Sequence, residues 1–215
     1  MTLVTTDVNA SGARNAGPTT LDAAGDLAIR TTPTTRTRTR TTLDVATCDT
    51  PVGAVTLFAN GAALVGLEFS DRAARVSGLH QHLERTLGPF TIREHDDPAR
   101  AITRLRAYFA GDLDALDHQP VEFHGTPFQC RVWRALREIP RGRTESYGAL
   151  AARIGAPNAQ RAVGAANGGN PNALFVPCHR VIAADGTLHG YGGGLERKAW
   201  LLTHEGAWGG EPRLF

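Results

Sequence analysis

The chain has 215 residues, of which 41% are hydrophobic and 20% charged, a composition sufficient for a packed core in one domain or two small ones. No apolar run approaches the ~18 residues of a membrane span, so a membrane-spanning protein is not expected. The N-terminal stretch lacks the apolar region of a secretory signal, so a signal peptide is not expected either. The net charge is only +2, but residues 126–170 carry seven Arg against two Glu. This stretch favours contact with a polyanion, with a solvated helix face as the plainer alternative.

Residues 1–42 are predicted to form a disordered tail rich in Thr and Arg. The segment RTTPTTRTRTRTT is low in complexity and has no apolar periodicity, so no packed element is expected there. Its basic residues are compatible with weak contact to DNA phosphates, although a solvated tail is the simpler interpretation.

An N-terminal subdomain is predicted over residues 43–119. Its first three apolar runs are separated by DTPVG and by the pair Asn60-Gly61, and Asn-Gly between apolar runs is a strong hairpin signal. The pattern therefore predicts a three-stranded antiparallel meander. Helical periodicity predicts a helix over 73–87 and a second one over 98–110, and FTIRE between them is predicted to be a further strand.

A C-terminal subdomain over residues 120–208 is predicted to be mostly helical. Thr126 begins a helix with Pro127 at its first position, and Gln129 completes a capping box. Ser146 is predicted to cap a short helix, and Asn158 is available to cap the helix that follows the turn.

These elements predict an α/β (α+β) fold. It consists of a small antiparallel β-sheet N-terminal subdomain and a mostly helical C-terminal subdomain with a helix-turn-helix, since two short helices joined by a tight glycine-containing turn are typical of that motif. Residues 209–215 are assigned to a C-terminal tail.

The second helix of this motif carries almost no side-chain bulk. Ala159, Ala162 and Gly164 lie along it, and Arg161 is the long side chain in the middle of that surface. Small residues allow close helix packing, and they also allow a helix to enter a DNA groove. The sequence leaves both interpretations open.

The three cysteines are Cys48, Cys130 and Cys178. Their odd number and wide spacing predict no disulfide framework, and no Cys/His cluster has zinc-ligand spacing, so no metal site is predicted. A reduced, cytoplasmic setting is expected. Cys130 is interpreted as a packing residue without a chemical role.

Cys178 is different because His179 and Arg180 follow it directly. A neighbouring base or cation raises the thiolate fraction on which cysteine reactivity depends. A glycine-rich segment, HGYGGG, lies downstream, and Glu205 ends a helical run from which it can orient a histidine. Cysteine, histidine and glutamate form a nucleophile, base and orienter set.

The motifs TPFQxxVWxxLxxIP, SYGALAxxIGxPxAxRAVGxAxxxNP, VPCHRVI, GYxGG and KxxLLxHEG occur in this order. In them the chain closely resembles the O6-alkylguanine-DNA alkyltransferases, also called methylated-DNA–protein-cysteine methyltransferases. The resemblance is dense over residues 126–206, looser over 43–125 and absent over 1–42.

The resemblance implies catalytic roles for four residues. Cys178 accepts the alkyl group, and His179 deprotonates it through a bound water. Glu205 holds the histidine, and Tyr191 donates toward N3 of the flipped guanine. Adjacent residues rarely point at each other, so a water relay between Cys178 and His179 is geometrically reasonable.

The same resemblance implies a DNA-binding surface. Tyr147 rotates the phosphate beside the flipped nucleotide, and Arg161 fills the gap left in the base stack. Ala159, Ala162 and Gly164 face the minor groove. The resemblance also implies supporting roles for Asn170, which ties the recognition helix to the active-site segment, and for Arg180.

The implied activity is DNA repair by direct transfer of the alkyl group from O6-alkylguanine in double-stranded DNA to the cysteine, once per molecule. It implies no cofactor, a monomer without membrane contact, and a cytoplasmic, nucleoid-associated location (nuclear in a eukaryotic host). Activity on O4-alkylthymine is left open. The chain has Gly192 where some relatives have Ser, which leaves its tolerance of larger alkyl groups open.

Three other functions compete with this one. A cysteine hydrolase using the same three catalytic residues would turn over and would need no DNA. A non-catalytic lesion-binding module resembles this chain too, but such relatives lack the cysteine. A helix-turn-helix regulator would need polar base-reading side chains, which the second helix lacks.

Overall fold

The computed structural model describes residues 40–209. The strands are β1 Thr41–Cys48, β2 Val55–Asn60, β3 Ala63–Phe69, β4 Phe90–Glu94, β5 Glu145–Ser146 and β6 Val181–Ile182. The α-helices are α1 Ala73–Leu87, α2 Ala101–Phe109, α3 Pro127–Arg137, α4 Tyr147–Arg153, α5 Gln160–Gly168 and α6 Leu195–His204. Short 3-10 turns span Pro98–Arg100 and Cys178–Arg180. Most of the predicted tail, residues 1–39, lies outside the described part, and β1 begins at Thr41, inside the range predicted for that tail.

The first sheet has the strand order β3-β2-β1-β4. Strands β1, β2 and β3 pair antiparallel, which confirms the meander. The fourth strand makes this sheet mixed rather than antiparallel throughout, because β4 pairs parallel to β1. Helix α1 carries the chain along the sheet between β3 and β4, so β4 joins the far edge in the same direction as β1.

This sheet is packed on both faces. Helix α1 covers one face through Leu79 and Leu83, which meet Phe58 and Val65 of the strands. Gly66 of β3 permits this close approach, since a Cβ there would lie 2.7 Å from Leu79 Cδ1. On the other face, the core joins β2 and β3 to α2 and to residues 173–175, just ahead of Cys178.

A second core holds the helical part together. It centres on Trp133 of α3, whose indole Nε1 donates to the carbonyl oxygen of Ala166 in α5 at 2.8 Å. The predicted capping box of α3 is confirmed: Thr126 Oγ1 accepts from the backbone N–H of Gln129 at 3.2 Å, and Gln129 Oε1 accepts from that of Thr126 at 2.9 Å. The side chains of Val176, Cys178 and Val181 belong to the same core.

Helices α4 and α5 form the predicted helix-turn-helix. Ser146 caps α4 through the backbone N–H of Ala149 at 3.1 Å, and Gly155 ends it with φ +73°. Asn158 is not a cap: α5 begins after Ala159 without a side-chain cap. Backbone hydrogen bonds close the turn instead, including that from the N–H of Ala159 to the oxygen of Ala156 at 2.9 Å. Among residues 40–209, no helix has the length and apolarity needed to span a bilayer.

Candidate active site

Cys178 is the first residue of the short turn Cys178–Arg180. This turn follows residues 173–175, which pack in the sheet core, and precedes β6. The residue exposure of Cys178 is 6%, and its thiol borders a pocket with room for about one water molecule. The remaining lining residues come from β3, α1, the end of α5, the segment between α5 and Cys178, and the glycine-rich loop: Glu68, Arg75, Asn167, Gly168, Asn170, Ala173, Gly190, Tyr191, Gly192 and Gly193.

The resting cysteine is a neutral thiol. Burial raises the pKa of Cys178, while a hydrogen bond from Asn170 and the positive charges of Lys198 and Arg75 oppose the rise. Lys198 is fully buried, and its Nζ donates to the carbonyl oxygens of Val181 at 2.6 Å and of His189 at 2.8 Å. Burial lowers the pKa of this ammonium to about 8. Formation of a thiolate therefore requires a base at the time of reaction.

His179 has the properties of that base. Its Nε2 lies 3.1 Å from Glu205 Oε1, and both side chains are buried. Because a carboxylate only accepts, Nε2 carries the proton and Nδ1 keeps its lone pair. Nδ1 is buried and has no hydrogen-bond partner among residues 40–209. Burial lowers the pKa of the imidazole, so it is neutral at physiological pH and able to take a proton.

Glu205 is held as an anion by a dense set of donors. Arg180 donates from Nε to Oε2 at 2.7 Å and from Nη2 to Oε1 at 2.9 Å. The Tyr108 hydroxyl also donates to Oε1, at 2.9 Å. Burial alone would disfavour the carboxylate, but the hydrogen bond from His179 and the hydrogen bonds and positive charge of Arg180 outweigh it, so the pKa of Glu205 lies far below its usual value.

Tyr108 was missed by the sequence analysis. It lies on α2 and is buried. Burial and the adjacent carboxylate raise the pKa of its hydroxyl, which stays protonated as a donor. Only the approach of α2 to the end of α6, 97 residues away in the chain, reveals this role.

Two asparagines connect α5 to the cysteine segment. Asn170 Nδ2 donates to the carbonyl oxygen of Val176 at 2.8 Å, and Asn167 Nδ2 lies 3.4 Å from that of Cys178. Asn170 therefore connects the end of α5 to the segment that carries Cys178, which is the position that the resemblance implied for it. Asn167 was not singled out from the sequence, and the quoted motif leaves its position unspecified.

Two tyrosines flank the thiol. The hydroxyl of Tyr191 is buried and has no hydrogen-bond partner within the described part of the chain. Burial together with the nearby Cys178 raises its pKa well above the usual value. Tyr147 is half-buried, and its hydroxyl lies 3.5 Å from the oxygen of His189. Burial and Cys178 raise its pKa as well. Both hydroxyls are protonated donors, and Tyr191 lines the thiol pocket together with Cys178.

The small-residue helix α5 has two distinct sides. Arg161 and Ala162 are exposed, whereas Ala159 is half-buried at the N-terminal boundary. Gly164 is also half-buried, and a Cβ there would lie 3.8 Å from the ring of Tyr147. This distance is an ordinary van der Waals contact, so packing against Tyr147 does not by itself require glycine at position 164. The exposed side of α5 is available to a partner.

Within residues 40–209, no three His, Cys, Asp or Glu side chains lie together as a candidate metal site. The absence of a metal or cofactor remains a prediction. The remaining cysteines lie away from the pocket. Cys130 packs in the helical core, and Cys48 in the sheet core.

Residues 127–207 match the family model described as 6-O-methylguanine DNA methyltransferase, DNA binding domain. The chain is 47% identical over 162 residues to the methylated-DNA–protein-cysteine methyltransferase of Mycobacterium bovis, which covers 74% of this chain and 90% of that protein. It is also similar to the crystal structure of Mycobacterium tuberculosis O6-methylguanine methyltransferase, with a TM-score of 0.64, 43% identity, and coverage of 77% and 93%. A structure of Mycobacterium tuberculosis OGT in complex with DNA gives a TM-score of 0.60 at 42% identity, with coverage of 75% and 92%.

Proposed function

From the premise that the chain belongs to the methylated-DNA–protein-cysteine methyltransferase family, we propose that it repairs O6-alkylguanine in double-stranded DNA by transferring the alkyl group to Cys178. The observation that carries this proposal is the buried thiol beside a neutral His179 whose Nδ1 is unpartnered. A hydrolase that used the same three residues would turn over and would need no DNA, so the number of product molecules formed per protein molecule separates the two functions.

The proposed reaction is an in-line displacement at a saturated carbon. The thiol proton passes through a water to His179 Nδ1, and the imidazolium is stabilised by Glu205. The sulfur then bonds to the alkyl carbon, the carbon–O6 bond breaks, and its electron pair goes to guanine. A tyrosine hydroxyl donating to guanine, assigned to Tyr191, stabilises this leaving group. The product is a thioether that no neighbouring group can hydrolyse, so each molecule acts once.

Access to the thiol requires the damaged base to leave the duplex. Extruding a base costs a few kcal/mol, and less for a weakened pair, which favours the lesion. We propose that Arg161 fills the resulting gap in the stack while Ala162 and Ala159 lie against the minor groove. Tyr147, packed on Gly164, is proposed to turn the adjacent phosphate. The protein is proposed to act as a monomer without a cofactor.

Incubation with a duplex containing one O6-methylguanine is expected to add a single methyl group to the intact protein, on Cys178. The reason is that the thioether cannot be reversed by the groups present. Mass spectrometry of the protein and its peptides, together with counting of repaired guanines, measures this. More repaired guanines than protein molecules would contradict the proposal, and an unmethylated duplex is the control.

Arg161→Ala is expected to slow repair of a methylated duplex by at least tenfold, since the extruded state then loses its stacking substitute. Reaction with free O6-methylguanine, which needs no extrusion, should change little. The measurement is the second-order rate constant with each substrate. Arg143→Ala is the matched control, because Arg143 is exposed in the same basic stretch and its loss removes the same charge. Equal losses with both substrates would refute the assigned role of Arg161.

A further inference from the structure

An arginine–glutamate pair from the N-terminal sheet region forms one wall of the thiol pocket. Arg75, in the first turn of α1, donates from Nε to Glu68 Oε2 at 2.7 Å. Glu68 lies near the end of β3, is 3% exposed, and accepts a weak bond from the backbone N–H of Phe69 at 3.3 Å. Both residues line the pocket together with Cys178.

The guanidinium of Arg75 occupies the space above Gly192. A Cβ at position 192 would lie 2.5 Å from Arg75 Cζ and 2.7–2.8 Å from its two terminal nitrogens. The same nitrogens lie 3.4 Å from the oxygen of Gly168, at the end of α5. Arg75 therefore takes the volume that a serine side chain would need, and it bridges the glycine-rich loop to α5.

Displacement of Arg75 has an electrostatic cost. Its side chain is 34% exposed, so it has a path toward solvent, whereas the side chain of Glu68 is almost fully buried. Burial raises the pKa of Glu68, and the charge and hydrogen bond of Arg75 oppose that rise. If Arg75 swings away, a buried carboxylate loses its partner, and such a group is costly.

We propose that Arg75 is a specificity-determining residue that restricts the pocket to small alkyl groups. The inference rests on the proposed function. For in-line attack the first alkyl carbon must touch the sulfur, and the rest of the group then lies in the pocket, of which Glu68, Arg75 and Gly192 form part of the wall. None of these three residues belongs to the proposed DNA surface on α4 and α5. A benzyl group is several times larger than a methyl group, so we expect it to require displacement of Arg75 where a methyl group does not.

The test compares duplexes that carry one O6-methylguanine or one O6-benzylguanine at the same position. Arg75→Ala is expected to raise the benzyl-to-methyl ratio of rate constants at least tenfold, the scale by which a pocket discriminates a missing group. Arg72→Ala is the matched control: Arg72 immediately precedes α1 and its Nη2 lies 3.3 Å from the oxygen of Gly193, but it does not line the thiol pocket. It should leave the ratio unchanged.

The double variant Arg75→Ala/Glu68→Gln covers the case in which the single variant unfolds, because it leaves no unpaired buried carboxylate. Its ratio must rise as well. A folded variant with an unchanged benzyl-to-methyl ratio would overturn the inference. This includes an equal increase in both rate constants, which would mean that Arg75 limits access to the thiol regardless of alkyl size. Wild-type protein that accepts no methyl group on Cys178 would overturn the proposed function instead, so the two failures are distinguishable.

Discussion

Replacing Cys178 with alanine is expected to abolish alkyl transfer completely while leaving the fold and the binding of duplex DNA intact. Among the three cysteines, only this one borders the pocket shared with Tyr191 and the glycine-rich loop. The change removes one sulfur atom from a site that is already small, so its effect on stability should stay near that of a modest core truncation, about 1–2 kcal/mol.

The measurement is transfer of a radiolabelled methyl group from duplex DNA to protein, with DNA affinity determined in parallel. Cys130→Ala and Cys48→Ala are the matched controls. The Sγ of Cys130 makes only weak contacts, 3.5 Å from the oxygen of Gly125, and that of Cys48 lies 3.4 Å from the oxygen of Asp49. Both variants should retain full transfer. Residual methylation of Cys178→Ala would mean that another residue is the acceptor.

Local signals account for the elements that sequence analysis predicted well. Helix α1 matches the range predicted from apolar periodicity, and the capping box of α3 has both of its hydrogen bonds. These features depend on residues three or four positions apart, which a sequence displays directly. The parallel pairing of β4 with β1 was not predictable in this way, because it depends on where α1 delivers the chain rather than on any local pattern.

The residues of the candidate site also divide into those that local sequence predicts and those that depend on long-range packing. Cys178, His179 and Arg180 are contiguous, and the helical run that Glu205 ends is strongly marked, so the core of the site was accessible from the sequence. Tyr108, the third donor to Glu205, was not accessible in this way. A tyrosine on the apolar face of a helix gives the same sequence pattern whether or not its hydroxyl makes a hydrogen bond. The Arg75–Glu68 wall likewise depends on the packing of the sheet region against the glycine-rich loop.

Glu205→Gln is expected to lower the free energy of unfolding by about 3–5 kcal/mol and to slow transfer strongly. The carboxylate is the shared acceptor for His179, Arg180 and Tyr108, and an amide leaves the buried guanidinium without a counter-charge. It also cannot stabilise an imidazolium. Glu196→Gln, an exposed change in the first turn of the same helix, is the control and should alter stability by less than about 0.5 kcal/mol.

The pH dependence of this loss separates lost charge from lost packing. The folded pKa of Glu205 lies below its unfolded value of about 4.3, so its ionisation stabilises the fold fully above that pH. As the pH falls below about 4, protonation is favoured in the unfolded chain and this contribution declines toward the lower folded pKa. The stability difference between wild type and Glu205→Gln, measured by urea unfolding from pH 7 to pH 3, should therefore shrink in acid. A stability difference that stays constant over this range would assign the loss to packing. It would also contradict the proposal that an anionic Glu205 stabilises the imidazolium of His179.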